Sequence, residues 1–381
     1  MSLSRVQSIM AENGLHAALI ADNANIFYLA RRVFRGYVYL SLGREPLYFV
    51  IRPLGLEGGS WHYIRKPEMI PEVLGQLGYP MPERIGLELD DLTYSQVLRL
   101  KSIFPSAETV NLSSIMREAR MVKDDSELDL LRVDGEKHAA VYSRIPGLYR
   151  PGMSDLELQI EIERVLRLEG CLGYLRTSGN LMEINMGSVL NGENADVPTP
   201  YDFAVGGGGV DLSLPVGADG RIMKEGTTVM IDMNGNFNGY QTDLTRTWAV
   251  ESVSDEVVAI HNTSIQICRE LEKMALPGVP VKALYEKAEE IVKTKGLEHF
   301  FMGHRQHASF IGHGVGIQLN EWPVIMRKSP HILQKNMVIA IEPKFVVPKV
   351  GAVGIENTYI VTDSGLENIT PAPEELAVLS L

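Results

Sequence analysis

Residues 229–250, VMIDMNGNFNGYQTDLTRTWAV, contain two runs rich in Val, Ile, Thr and Tyr on either side of a turn rich in Asn and Gly. This pattern predicts a β-hairpin. Each predicted strand carries one carboxylate, Asp232 in the first and Asp243 in the second. An Asp beside a hairpin turn most often belongs to the turn itself. Neither residue alone therefore indicates a functional site.

Three further side chains of the kind that bind metals follow in segments predicted to be strands or strand edges. They are His313 in FIGHGVGI, Glu342 in VIAIEPKF and Glu356 in AVGIENTYIV. If all five side chains converge, four carboxylates share one pocket and need an opposing charge. Two divalent ions supply four positive charges, which matches the four carboxylates. The sequence thus predicts a metal site formed by Asp232, Asp243, His313, Glu342 and Glu356.

A pseudo-repeat supports this prediction. In MKEGTTVMIDM and LQKNMVIAIEP, Gly226 aligns with Asn336 and Asp232 aligns with Glu342. Two halves of one domain therefore place a carboxylate at the same point of equivalent strands. A duplicated scaffold of this kind predicts a two-metal site between its halves.

The composition is that of a globular protein with more than one domain. A chain of 381 residues usually forms two domains, and 45% hydrophobic with 22% charged residues is ordinary. A net charge of −12 argues against a nucleic-acid or anionic-membrane partner. Only Cys171 and Cys268 are present, and they lack metal-type spacing. With a charged N-terminus and no run of about 20 apolar residues, this predicts a cytoplasmic protein.

Two domains are predicted, one over residues 1–122 and one over 123–381. The first alternates apolar runs with amphipathic stretches, with helices at 4–12 and 93–103, and indicates an α/β domain with a mixed sheet. The second begins with a charged helical stretch at 121–145. Its order of helix, helix, strands occurs twice, which predicts helices behind a curved antiparallel sheet and a cleft on the open face.

One predicted helix of the second domain shows its boundaries clearly. In SDLELQIEIERVLRLEG, Ser154 and Glu157 form a capping-box pattern and Gly170 ends the helix. Leu156, Ile160, Leu166 and neighbouring apolar residues are predicted to form its buried stripe.

The chain resembles the prolidase, aminopeptidase P and creatinase family of "pita-bread" enzymes. The resemblance spans the whole chain and rests on four segments in order, DMNGNFNGYQTDLTRTW, GHGVGIQLNEWP, VIAIEPKF and VGIENTYIVT. It implies a creatinase-like α/β N-terminal domain followed by an α+β pita-bread catalytic domain. That catalytic domain would contain pseudo-twofold helix-helix-strands units around a curved antiparallel sheet. A homodimer is also implied.

The resemblance implies a role for each ligand. Asp232 would chelate one metal, Asp243 and Glu356 would bridge both, and His313 with Glu342 would complete the second. A water shared by two such ions loses a proton near neutral pH, so a bridging hydroxide could attack a carbonyl carbon while Glu342 shuttles the proton. Oxygen-rich ligation with one imidazole suits manganese, with cobalt, iron or zinc as alternatives.

Several positions depart from what the resemblance implies for Xaa-Pro cleavage. Ser309 and Asn320 stand where histidines are expected, no histidine lies between His138 and His261, and Gly354 replaces an Arg. Lys344 replaces a Gly and is predicted to anchor a substrate carboxylate in place of that Arg. Asn320 and Glu321 are further substrate-binding candidates. His307 and Tyr240 are catalytic candidates, although His307 could be a bystander and Tyr240 could serve only packing.

Three functions are consistent with these residues. The first is a dinuclear metallo-exopeptidase that cleaves the N-terminal amide of dipeptides or short peptides, Xaa-Pro among them. The second is a metal-dependent hydrolase of a small non-peptide C–N compound, favoured by the altered histidines. The third is a peptide-binding module without catalysis, disfavoured because the five ligands are intact.

Overall fold

A computed structural model describes residues 2–58, 60–179 and 182–380. The chain divides between Arg120 and Met121 into two compact units, each with its own hydrophobic core. The five predicted metal ligands all lie in the second unit.

The first unit contains a six-stranded mixed sheet in the order β4-β3-β2-β1-β5-β6. The strands are β1 Ala17–Ile20, β2 Arg35–Ser41, β3 Leu47–Arg52, β4 Trp61–Tyr63, β5 Arg84–Leu87 and β6 Glu108–Asn111. β1–β2 and β2–β3 pair antiparallel, whereas β1–β5, β5–β6 and β3–β4 pair parallel. This is the mixed α/β sheet that the sequence predicts.

Five helices accompany this sheet, and both predicted helices are present. They are α1 Ser2–Glu12, α2 Asn23–Ala30, α3 Ile70–Gln76, α4 Tyr94–Ile103 and α5 Ser113–Met121. A capping box between Thr93 and Gln96 begins α4. Asp22 caps α2 locally by accepting from the backbone N–H groups of Ala24 and Asn25, and the buried carboxylate of distant Glu88 accepts from the N–H groups of Ala21 and Asp22. No local pattern reveals that contact.

Helices α6 Asp125–Tyr142, α7 Asp155–Leu168, α8 Asp255–Met274 and α9 Val281–Lys295 form two successive pairs in the second unit. The predicted capping box of Ser154 and Glu157 begins α7. The predicted buried stripe is wrong at one position: Ile160 is 52% exposed, whereas Leu158 and Ile162 are fully buried. The core face of α7 follows Leu158, Ile162 and Leu166 at i, i+4 spacing, which includes the predicted Leu166 and leaves Ile160 outside it.

The strands of this unit form three sheets. They are β7 Gly187–Asn191, β8 Thr228–Gly235, β9 Thr242–Val250, β10 Phe310–Gly314, β11 Glu321–Met326, β12 Val338–Ile341, β13 Lys344–Val347, β14 Gly351–Gly354, β15 Asn357–Thr362, β16 Gly365–Asn368 and β17 Ala377–Leu379. Their orders are β17-β9-β8-β7, β11-β10-β12-β15-β16 and the ladder β13-β14. Helices α6 and α7 pack on the first sheet, and α8 and α9 pack on the others.

The internal repeat is visible in the backbone. Gly226, before β8, and Asn336, before β12, both adopt positive φ angles, 84° and 68°. Each precedes a strand associated with a predicted ligand: Asp232 lies within β8, and Glu342 directly follows β12. An antiparallel bridge between Thr245 of β9 and Glu356 joins the two halves. The predicted helix-helix-strands duplication is therefore present.

No helix among the described residues has the length and apolar character needed to cross a membrane.

Candidate metal centre

The predicted hairpin forms and places its two carboxylates on one face. In the antiparallel pair β8–β9, Asn234 lies opposite Asp243, and Asp232 lies two residues before Asn234. Because side chains alternate across a strand, Asp232 and Asn234 share a face, and Asp243 lies on that face directly across the ladder. The hairpin thus brings the two predicted ligands together as diagonal neighbours.

Three other strands bring the remaining ligands to the hairpin. His313 lies in β10 beside β12, Glu342 follows the last residue of β12, and Glu356 immediately precedes β15. The hydroxyl of Thr245 donates to Glu356 Oε2 at 2.7 Å. That contact fixes the carboxylate of one half of the unit against the hairpin of the other half.

The five ligand side chains meet as two overlapping groups of three that could each hold a metal ion. Asp232, Glu342 and Glu356 form one group, called here the ammonium site for the Lys344 side chain that contacts it. Asp243, His313 and Glu356 form the other, called here the imidazole site. Glu356 belongs to both. The predicted convergence of these five residues is therefore present in the structure.

The ammonium site contains a cation from the chain itself. Lys344 Nζ lies 2.7 Å from Asp232 Oδ2, 2.7 Å from Glu342 Oε2 and 3.1 Å from Glu356 Oε2. An ammonium group has three N–H donors. All three are used by these carboxylates, so none is left for a substrate carboxylate. The structure thus places Lys344 within the acid cluster rather than at the predicted anchor position.

The imidazole site has donors that fit one divalent ion. His313 Nε2 lies 3.7 Å from Asp243 Oδ2 and 3.6 Å from Glu342 Oε1, and the carbonyl of Gly314 lies 3.1 Å from Nδ1. Because a carbonyl can only accept, Nδ1 donates to it and Nε2 is free to ligate. Glu356 Oε1 is buried without a hydrogen-bond partner among the described residues. An orphaned carboxylate oxygen beside an imidazole nitrogen is the kind of atom that a bound cation satisfies.

Burial and mutual repulsion dominate the electrostatics of the cluster. Burial, with the neighbouring charges of Glu356 and Asp232, raises the pKa of Asp243 well above its ordinary value. Burial and the charge of Glu342 raise the pKa of Glu356 to about 8. Burial lowers the pKa of Lys344, but the facing carboxylates, Asp232 first, outweigh it and raise that pKa. The acids thus need more positive charge than one lysine supplies.

A cavity of about 500 Å³ opens beside these groups within the second unit. Four of the five predicted ligands line it: Asp232, Asp243, His313 and Glu342. The lining of the cavity also includes the apolar residues Val197, Phe203 and Phe310. A concave space lined by apolar residues, with a few convergent polar groups, is the usual form of a small-molecule site. Among the described residues that line the cavity, none is Lys or Arg.

Two of the other predicted site residues line the cavity. His307 Nδ1 donates to the carbonyl of Phe301 at 2.8 Å, which leaves Nε2 as its remaining nitrogen. Asn320 binds the backbone of Ser178, accepting from its N–H at 2.6 Å and donating to its carbonyl at 3.1 Å. The catalytic role of His307 and the substrate-binding role of Asn320 stay predictions.

Two other candidates, Tyr240 and Glu321, are not among the described residues that line the cavity. Tyr240 is 1% exposed and its hydroxyl donates to Glu127 Oε1 at 2.7 Å, which joins the hairpin to helix α6. Glu321 accepts from Lys123 Nζ at 3.1 Å, with both side chains buried. These contacts are typical of residues that support the hairpin and the segment after His313. Contact of Tyr240 or Glu321 with substrate stays a prediction that this geometry does not favour.

Backbone geometry leaves no space for a side chain at Gly354, the position where the resemblance implies an Arg. Gly354 has a φ of 142°, and a Cβ added there would lie 2.7 Å from the carbonyl of Pro343. A side chain at this position therefore requires the backbone to move. Ser309, which replaces an expected histidine, lines the cavity.

Local sequence patterns do not predict the long-range contacts that hold the ligand strands in register. The hydroxyl of Thr358 accepts from the backbone N–H of Asp243 at 2.8 Å and lies 2.9 Å from its carbonyl. The guanidinium of Arg246, which is 2% exposed, donates to the carbonyl of Glu356 at 2.8 Å and to Asn357 Oδ1 at 2.7 Å. A Thr or Arg in a strand gives no local sign of such contacts. Only the long-range pairing of β9 with the β15 segment reveals them.

Family models match both parts of the chain. The model of metallopeptidase family M24 matches residues 129–363, and that of the creatinase/prolidase N-terminal domain matches residues 3–122. The chain belongs to metallopeptidase family M24. The predicted resemblance, the two-part fold and the prediction of a metallopeptidase enzyme are confirmed.

Similar proteins and structures cover nearly the whole chain. A putative dipeptidase of Bacillus subtilis is 27% identical, with 99% of each chain covered, and an Xaa-Pro dipeptidase of Pyrococcus furiosus is 26% identical, with 98% and 99% covered. The crystal structure of a prolidase from Pyrococcus horikoshii has a TM-score of 0.80 at 22% identity over 98% of this chain and 99% of that one. An Xaa-Pro dipeptidase from Bacillus anthracis has a TM-score of 0.80 at 24% identity over 99% of each. These structures show the shared fold.

Proposed function

We propose that this chain is a metal-dependent exopeptidase that cleaves the N-terminal amide bond of dipeptides or short peptides. The observation that carries the proposal is the convergence of Asp232, Asp243, His313, Glu342 and Glu356 beside one cavity. The names of the Bacillus and Pyrococcus relatives support a dipeptide substrate, with Xaa-Pro peptides as the first class to test.

The chemistry proposed for the site follows from its donors. A divalent ion bound here supplies a Lewis acid for a substrate carbonyl and lowers the pKa of a bound water. Glu342 is the proposed proton shuttle between the attacking water and the leaving nitrogen. It lines the cavity, and its Oε2 is held by Lys344 while its Oε1 lies 3.6 Å from His313 Nε2. Its carboxylate is thus oriented before substrate arrives.

Manganese is the proposed metal, because carboxylate oxygens outnumber the single imidazole nitrogen in the donor set. Cobalt, iron and zinc are the alternatives to compare. Four carboxylates taken alone would be balanced by two divalent ions per chain, one for each group of three ligands. The ammonium of Lys344 already supplies a positive charge to the ammonium site, so the charge balance does not require a second ion there.

A cytoplasmic homodimer is also proposed. Cys171 and Cys268 are both buried and unpaired, which fits a reducing compartment. The dimer is tested by measuring the mass of the purified protein in solution by light scattering. A mass near twice 42.2 kDa is expected, and a mass of one chain at working concentration contradicts the dimer.

Hydrolysis after metal removal and restoration tests the enzymatic proposal. The protein is stripped with a chelator, dialysed and assayed with Xaa-Pro dipeptides, other dipeptides and tripeptides, with and without added Mn²⁺. Turnover that returns with the ion is expected. Asp243→Asn removes a metal ligand, so turnover should not return when Mn²⁺ is added to this variant. Asp129→Asn, which alters a carboxylate of 77% exposure on α6, is the matched control. Lack of turnover on every peptide overturns the exopeptidase proposal.

One observation favours a second function, a metal-dependent hydrolase of a small non-peptide C–N compound. The described residues that line the cavity include no Lys or Arg. At Gly354, where the resemblance implies an Arg, the backbone leaves no space for a side chain. A free dipeptide carries a carboxylate that such a lining does not neutralise. Small amides without a carboxylate, assayed beside the peptides, separate the two functions.

A further inference from the structure

The Lys344 side chain occupies a position that a metal ion would otherwise take. It is 1% exposed, and its ammonium contacts one oxygen from each of the three carboxylates of the ammonium site. A cation surrounded by carboxylates from within β8, after β12 and before β15 is the arrangement expected for a bound metal. In this chain the cation is the ammonium group of Lys344, which is covalently attached to the protein.

An ammonium and a metal ion exclude each other at this position. Divalent ions bind carboxylate oxygens at about 2.0 to 2.6 Å, whereas an ammonium hydrogen-bonds to them at about 2.7 to 2.9 Å. A metal bound to the same oxygens of Asp232, Glu342 and Glu356 would therefore lie almost where Lys344 Nζ lies. Two cations cannot share that space.

The lysine has little freedom to leave. Its backbone belongs to β13 and pairs with β14, with Lys344 opposite Gly354, and its amide N–H lies 3.4 Å from the sulfur of Met302. An ammonium moved elsewhere in this interior would be a buried charge without carboxylate partners, which is costly. The carboxylates are therefore its stable partners in the folded chain.

We infer that the ammonium of Lys344 is a built-in cation that excludes a divalent ion from the ammonium site, so that this chain binds a single divalent ion, at Asp243, His313 and Glu356. Only the second half of this inference rests on the proposed function, through the metal at the imidazole site. The lysine keeps Asp232, Glu342 and Glu356 assembled whether or not an ion is bound. The single ion and the fixed ammonium then share the work of neutralising the four acids.

Metal counting tests the inference without an activity assay. Full-length protein is stripped with a chelator, equilibrated by dialysis against Mn²⁺ and, separately, Zn²⁺, and analysed by mass spectrometry of the metal content. Wild type is expected to bind one ion per chain. Lys344→Ala opens the ammonium site and is expected to bind one ion more. Lys328→Ala, at an exposed lysine of the same unit, should bind as wild type does.

Electron paramagnetic resonance of the Mn²⁺ forms gives an independent readout. Wild type should show the spectrum of an isolated ion, and Lys344→Ala the broadened spectrum of two coupled ions, because ions in two-metal sites lie about 3.5 to 4 Å apart. Two ions per chain in wild type, or no gain in Lys344→Ala, overturns the inference.

A variant outside the lysine keeps the test decisive if Lys344→Ala does not fold. Asp232 contacts the ammonium but lies outside the imidazole site. Asp232→Asn should therefore still bind one ion, whereas loss of that ion would overturn the inference. Failure of the proposed function has a different signature. Wild type would then bind no ion or hydrolyse nothing, while the extra ion of Lys344→Ala would still support exclusion by the lysine.

Discussion

Lys344 and Gly354 lie directly opposite each other in the ladder of β13 and β14. A Cβ at Gly354 would lie 3.1 Å from the Cα of Lys344 and 2.7 Å from the carbonyl of Pro343. The absence of a side chain at one position thus accompanies a buried ammonium at the other. Among the residues of β13 and β14 only Lys344 is charged, and Gly354 opposite it places no side chain against its backbone.

Gly354→Ala should destabilise the protein by about 1 to 3 kcal/mol, because the backbone has a φ that L residues rarely adopt and the added Cβ meets fixed backbone atoms. Thermal unfolding with and without metal measures the loss. Gly147→Ala is the control, since a Cβ there meets nothing within 4 Å, and its midpoint should stay close to that of wild type. Equal midpoints for the two variants would contradict the close packing of β13 and β14.

Lys344→Met should lower the stability of the metal-free protein by about 3 to 5 kcal/mol, because it leaves three buried carboxylates without their ammonium partner. Urea unfolding in the presence of a chelator measures this change. Added Mn²⁺ should restore more stability to the variant than to wild type, since the ion replaces the lost charge. Lys328→Met at an exposed position should behave as wild type. An unaffected Lys344→Met would show that the ammonium contributes nothing to the acid cluster.

His313→Ala should lose the metal bound at the imidazole site, because it removes the only nitrogen ligand of that group. Calorimetric titration with Mn²⁺ is the measurement, with an expected weakening of at least tenfold. His307→Ala is the matched control. Its Nδ1 donates to the carbonyl of Phe301 rather than to a metal ligand, so Mn²⁺ affinity should be retained. Equal losses in both variants would argue against His313 as the ligand.

Glu88 should make the protein less stable as the pH rises. Burial raises the pKa of its carboxyl to about 7 from an ordinary value of 4.5. The folded state therefore binds the proton more tightly, and this contribution is complete below pH 4.5 and lost as pH passes through about 7. The loss amounts to about 3 kcal/mol.

Glu88→Gln removes this titration. The difference in unfolding free energy between wild type and the variant, measured in urea, should therefore favour wild type more at pH 5 than at pH 8. Glu118→Gln, at an exposed carboxylate of the same unit, is the control. A difference that does not change with pH would contradict the raised pKa of Glu88.

Peptides with an amidated C-terminus should be hydrolysed at least as fast as the free acids. The described cavity lining contains Asp196 and Asp202 but no Lys or Arg, so a free carboxylate gains no ion pair with it. Values of kcat/KM for matched Xaa-Pro acids and amides are the measurement. A loss of tenfold or more on amidation would show that a cation from elsewhere in the protein, Lys344 included, anchors the carboxylate.

Local sequence patterns are sufficient to predict the strands and turn that carry the metal-binding residues. The turn between Asp232 and Asp243 is specified by its Asn and Gly residues, and the repeat around Gly226 and Asn336 is specified by matching strand patterns. Both signals operate over a few residues, so they survive in the bare sequence. The contact between Glu88 and the backbone before α2 does not, because Glu88 lies more than sixty residues away from Ala21.

The sequence by itself determined which five side chains could bind metal and that they lie in strands of a duplicated domain. The sequence also contains a local indication of the Lys344 contact, because Lys344 stands two residues after Glu342, the spacing that puts side chains on one face of an extended chain. Only the tertiary structure decided that Lys344 turns into the acids instead of toward substrate. That choice depends on the pairing of β13 with β14 and on the approach of Asp232 and Glu356 from strands far apart in the chain. Charges so distant in sequence interact only once folding has brought them within 3 Å or so and removed the water between them.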